Sequence, residues 1–132
     1  MNGENRRQSF IFILKLLTMF LIKSPKLDVY SFSKNFVLEY YKLTKHLPSE
    51  EKFGMISQIR RAALSVHLNI AEGASRKSET ERKRFYEVAR GSVIEIDAAL
   101  DIANGLHYLD GFKLNALNEC TVKTFKILSG MI

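Results

Sequence analysis

Apolar residues recur at steps of three and four along the body of this chain, and no segment with the strand period of two competes. That pattern restricts the body to amphipathic helices. The clearest stripe is Val29, Phe32, Phe36, Tyr40, Leu43 and Leu47, which predicts a first helix over 27–47. Asp28 is its expected N-cap, with Leu27 and Phe32 closing a hydrophobic staple across it. Pro48 ends it, because the residue before a proline is pushed out of the helical region. Ser49, Glu50 and Glu51 then offer a cap and first-turn acids for a second helix running to about Glu72. Gly73 is its expected stop, as a residue free to take positive φ.

On a helical wheel, Ile59, Ala62, Ala63, Val66 and Ile70 share one face of this second helix. Leu64, Leu68 and Ala71 form a second apolar strip, and Arg61, Ser65, Asn69 and Glu72 a polar stripe between the two. A helix with two apolar strips has more to bury than one core can take, which points to a subunit interface. Ser78-Glu79-Thr80-Glu81 has the spacing of a capping box and opens a third helix. Its expected core face is Phe85, Val88, Ala89, Ser92, Ile96, Ala99, Ala103 and Leu106. Tyr86, Arg90, Val93 and Ile94 fall outside that face, and the last two read as contact surface. Gly105 to Gly111 breaks the pattern, with Asp110 as a cap. Leu114, Leu117, Thr121, Phe125 and Leu128 mark a fourth, less regular helix. Four helices joined by short loops predict an all-α, antiparallel up-down-up-down four-helix bundle.

At 132 residues the chain has the length of one domain and can bury a core without disulfides. Cys120 is the only cysteine, so no internal disulfide forms and a reducing cytoplasm fits. The net charge of +6 is uneven. Residues 1–26 carry Arg6, Arg7, Lys15, Lys23 and Lys26 against Glu4, a net +4, which leaves +2 for the body. Local clustering therefore matters more than the global charge. The apolar run Phe10 to Ile22 is broken by Lys15 and Thr18 and is too short to span a bilayer, which takes about 20 apolar residues. No small-x-small cleavage site follows it. Three readings stand for residues 1–26: an extension outside the 27–132 domain with Met19 as the start, a membrane-surface or partner-binding helix, and an export signal. The first is the expectation adopted, so no membrane partner is expected.

Residues 27–132 resemble the four-helix-bundle proteins of the 23S rRNA intervening-sequence family. The resemblance rests on Leu27-Asp28-Val29-Tyr30, Leu47-Pro48, Gln58-Ile59-Arg60-Arg61-Ala62-Ala63, Asn69-Ile70-Ala71-Glu72-Gly73, Arg76, Glu81, Phe85 and Ala89-Arg90-Gly91-Ser92. It implies a bundle that assembles into a homo-oligomeric ring, a pentamer. It also implies kinship with the accessory protein of diversity-generating retroelements, which binds nucleic acid and a reverse transcriptase. His67 departs from the family pattern, which often has proline there, so the second helix is expected to be straighter.

Two groups of residues are candidate sites. Arg61, Asn69, Glu72 and Arg90 carry over as the family's polar set. Arginine's planar fork suits phosphate, which makes them a candidate anion site. The plainer reading is a charge network within the bundle or between subunits, in which Glu72 pairs an arginine; a carboxylate among the arginines favours it. Arg76, Lys77, Arg82, Lys83 and Arg84 form the candidate nucleic-acid site, because phosphate neutralisation needs only such density. Basic residues near a helix start oppose the helix dipole, which argues for an external anion. The alternative is a solvated helix start with Glu79 and Glu81 as counterions.

Nothing in the sequence points to an enzyme. His46, His67 and His107 are scattered without metal-ligand spacing. Ser65, Ser75 and Ser78 have no base or nucleophile elbow, and Gly73 opens no phosphate loop. No cofactor is expected. Cys120 reads as a packing residue. Tyr40, Tyr41 and Tyr86 could stack on bases, but at helical spacing they read as core or interface. The functional expectation is a non-enzymatic oligomer that binds RNA or DNA backbone. The alternative is a protein-interaction scaffold.

Overall fold

The computed structural model describes residues 24–132, with side chains from Val29 onward. Among the described residues there are four α-helices and no strand: α1 (Ser24–His46), α2 (Met55–Ala74), α3 (Glu79–Gly105) and α4 (Asn115–Gly130), with a 3-10 turn at Ser49–Glu51. The N-terminal apolar run lies outside the described residues. Among the described residues no helix is long and apolar enough to cross a membrane.

Helix α1 packs on α2 and on α4, α2 packs on α3, and α3 on α4. Side-chain pairs fix the relative levels. Arg60 Nε donates to Thr44 Oγ1 at 2.8 Å, and Ser33 Oγ meets His67 Nδ1 at 2.7 Å. Tyr40 Oη meets Thr121 Oγ1 at 2.8 Å, and His46 Nε2 lies 3.0 Å from the Asp110 carbonyl. Ser92 Oγ donates to Ser65 Oγ at 3.0 Å across the α2–α3 seam. The core along these seams contains Phe36, Tyr40, Leu43, Ile59, Val66, Ile70, Ile96, Leu117 and Leu128.

Several expected boundaries shift. Helix α1 starts at Ser24, so Asp28 lies inside it and is not its cap. Helix α2 does not start at Ser49. The chain makes the 3-10 turn first, and Glu51 Oε2 then accepts from the backbone N–H of Met55 at 3.1 Å. This carboxylate satisfies a first-turn donor and sits at the positive end of the helix dipole. Helix α2 runs unbroken through His67 and also through Gly73, which is helical and buried rather than a left-handed stop. Its lack of a side chain serves packing. A Cβ there would stand 2.9 Å from Phe85 Cβ and 2.9 Å from Tyr86 Cε1, so only glycine lets α2 and α3 approach this closely. The cap of α3 falls where expected, with Ser78 Oγ accepting from Glu81 N–H at 3.0 Å.

The core stripe of α3 keeps Ala89, Ser92, Ile96 and Ala103 of its expected face but shifts towards Tyr86 and Val93. Tyr86, Ala89, Val93, Ile96 and Ala103 are buried, whereas Val88 and Leu106 are about half exposed. Tyr86, Ala89, Val93 and Ile96 step by three and four, the narrow seam of a helix packed in a bundle, with Ser92 buried beside them. Tyr86 and Val93 therefore belong to the core, and only Ile94 faces out as expected. In α4 the stripe is Leu117, Cys120, Thr124 and Leu128, so Thr121 and Phe125 flank the core. Asp110 does not cap α4, whose first residue is Asn115; the intervening turn reverses through His107 and Gly111, both at positive φ.

Candidate nucleic-acid interface

The α2–α3 corner concentrates positive charge because the chain turns there in four residues, Ser75 to Ser78. The turn is closed from within. Ser75 N–H and Arg76 N–H donate to the carbonyls of Glu72 and Gly73, and Ser75 Oγ donates to the Glu72 carbonyl at 2.6 Å. Arg82 completes it by donating from Nη1 to the carbonyls of Arg76 at 3.0 Å and Lys77 at 2.7 Å. Those bonds satisfy carbonyls beyond the end of α2, so Arg82 is a positioning residue for the turn.

The other four basic residues surround it. Arg76 lies over the Phe85 ring, 4.9 Å from its centroid, and also meets Glu72 at 3.4 Å. Stacking on the ring orients its guanidinium without neutralising it. Lys83 meets Glu79 at 3.4 Å one turn away. Both ion pairs are exposed, so solvent and salt weaken them and an external phosphate can compete for the cations. Lys77 and Arg84 are exposed and form no ion pair among the described residues. Met131, the residue after α4, lies beside Glu79, Arg82, Lys83 and Tyr86, so this corner shares its end of the molecule with the end of α4.

The family polar set is brought together only in part. Asn69 Nδ2 donates to the carbonyl and hydroxyl of Ser65, at 2.8 and 3.1 Å, and Ser65 joins Ser92. Glu72 pairs Arg76, four residues on, rather than Arg61 or Arg90. Arg90 precedes Ser92 by two residues, about 200° around the helix, so it points away from α2. Arg61 is exposed, and neither it nor Arg90 has an ion-pair partner among the described residues.

Other candidates are taken up inside the fold. Tyr40 and Tyr86 are buried and present no face to a base. Burial pushes the Tyr40 hydroxyl up to about 12, partly offset by its bond to Thr121. Tyr41 lies under the Arg60 guanidinium, 4.8 Å from centroid to Cζ. That use of Arg60 leaves no mark in the sequence, since its partners Thr44 and Tyr41 are remote along the chain. Cys120 is buried, and burial pushes its thiol up to about 11, with the Glu39 charge adding to the rise. His67 sits against Tyr30 and Ser33, and burial, followed by the nearby Lys34 charge, lowers its pKa.

A comparison with curated proteins finds none that matches this chain. A family model described as 23S rRNA-intervening sequence protein matches residues 25–130, which spans all four helices. The chain belongs to that family.

Proposed function

We propose that this member of the 23S rRNA-intervening sequence protein family is a non-enzymatic, cytoplasmic accessory protein that binds nucleic-acid backbone as an assembled ring. The α2–α3 corner carries the reading. Lys77 and Arg84 stand exposed there, and Arg76 and Lys83 hold only solvent-exposed partners. Such an arrangement neutralises phosphates without requiring a particular sequence. The side-chain pairs along the seams support an antiparallel up-down-up-down order, which puts one basic corner at the same end of every copy. A ring, taken as a pentamer from the family resemblance, repeats that corner around its axis. Kinship with the retroelement accessory protein adds a reverse transcriptase as a candidate protein partner.

The test is a titration of labelled structured RNA, single-stranded DNA and duplex DNA, at low and physiological salt. Replacing Lys77 and Arg84 by alanine is expected to weaken binding several-fold. It should also lower the salt slope by about one for each phosphate no longer neutralised. A charge-matched control, Lys45→Ala with Lys113→Ala, should change neither. Equal weakening in both variants would remove the corner as the site. Binding that vanishes for all three polymers at physiological salt would leave the scaffold reading, which the exposed Leu64 and Leu68 favour.

A further inference from the structure

The α3–α4 seam is not closed. Val93, Ile94 and Asp97 from α3, with Val122, Phe125 and Lys126 from α4, border an apolar groove of about 400 Å³. Ile94 and Val122 are 55% and 50% exposed within one chain. On a different side of the molecule, Leu64 and Leu68 form a ridge on the outer face of α2, the latter 57% exposed. Neither surface is covered by the described residues of its own chain.

We infer that the Leu64–Leu68 ridge of one copy seats in the Ile94–Phe125 groove of the next. The inference rests on the ring reading above and names the two faces that build the ring. Charge selects the occupant. The ridge runs Arg61, Leu64, Leu68, Glu72, positive to negative. The groove runs from Asp97, past Ile94 and Phe125, to Lys126, negative to positive. Arg61, Asp97 and Lys126 form no ion pair among the described residues, and the only partner of Glu72 there is the exposed Arg76. Opposite signs therefore face each other at the Arg61–Asp97 end, and Glu72 lies about one turn beyond Leu68 on the side of Lys126.

Height along the bundle selects the same pairing. The Ser65–Ser92 bond sets the level of α2 against α3, and Gly73 against Phe85 and Tyr86 sets its direction. One turn from that bond, Arg61 comes level with Ile96 and Asp97, and Leu64 with Val93. Leu68 lies a turn further, towards Lys126. Ridge and groove thus stand at the same height along the bundle. Copies related by rotation alone, with no rise, bring one into the other. Two different faces in head-to-tail contact with no rise close a ring instead of growing a filament. The same geometry turns Arg61 and Glu72 of the family polar set into contacts between subunits.

The experiment measures mass in solution by light scattering on the full chain, with circular dichroism confirming that each variant stays helical. Leu68→Asp breaks the ridge and Ile94→Asp the groove; both positions are exposed, so the fold should survive. Each variant alone is expected to fall from the oligomer to the mass of one chain. Mixed together they should form a heterodimer of twice that mass, because one intact ridge and one intact groove remain. Arg61→Asp should weaken assembly, and adding Asp97→Arg should restore it. If the wild-type protein is itself a monomer, the ring reading fails and this inference with it. If the wild type is oligomeric and both aspartate variants keep its mass, only the choice of faces is overturned. Single variants that dimerise on their own would show like faces meeting and would also overturn it.

Discussion

The α2–α3 seam and the α3–α4 seam use the same helix, α3, in opposite ways. Towards α2, α3 presents Phe85 and Ser92 to Gly73 and Ser65, and the backbones close until no Cβ fits at residue 73. Towards α4, it presents Val93, Ile94 and Asp97 to Val122 and Phe125, and a groove of about 400 Å³ stays open. Small residues along one seam let helices approach and lock in one register, whereas large residues along the other hold the helices apart and leave space between them. The tight seam positions the basic corner, and the open one leaves an apolar groove exposed on the described surface.

Truncations should separate the two seams most sharply. Ile70→Ala, at a buried α2 position, is expected to cost about 2–5 kcal/mol in denaturant unfolding. Ile94→Ala, at the groove, should stay within about 0.5 kcal/mol in a dissociated subunit. Equal destabilisation would mean the groove is core. Two glycines give the next contrast. Gly73→Ala forces a methyl into Phe85 and Tyr86 and should cost about 1–3 kcal/mol. Gly91→Ala meets nothing within 4 Å and should stabilise α3 by about 0.5–1 kcal/mol.

Smaller effects probe the α1–α2 and α1–α4 seams. The pKa of His67 is lowered in the folded state, so the unfolded chain takes up its proton first as pH falls. Its contribution is complete above the ordinary value of 6.5 and is lost as pH falls from there through the lowered folded pKa. His67→Gln should flatten that part of the stability profile. The smallest effect is chemical. Cys120, buried with its thiol raised to about 11, should react with thiol reagents only as fast as the protein opens, and mild denaturant should accelerate the labelling.

Helix number and type were legible because periodicity, Pro48 and the Ser78 cap all agree with the final packing. Helix rotation was less so. In α3 the expected stripe included Val88 and left out Tyr86 and Val93, because a wheel cannot say which of two adjacent apolar lines faces the core. Gly73 was read as a stop when it is a packing point; the reason is Phe85 and Tyr86, which sequence spacing does not bring beside it. The basic corner was visible as a cluster of residues. The division of labour within it was not, since the anchoring of Arg82 on the carbonyls of Arg76 and Lys77 depends on the shape of the turn. Sequence similarly could not show that Glu72 pairs Arg76 and leaves Arg61 and Arg90 unpaired within the described residues.

The most direct test of ring assembly and RNA binding together is the mass of the full-length protein in solution, measured by light scattering at physiological salt with and without a structured RNA. The predicted result is a particle of several chains that takes up RNA as one unit and keeps its number of chains. A single chain that stays a single chain, and whose mass is unchanged by RNA, would contradict both.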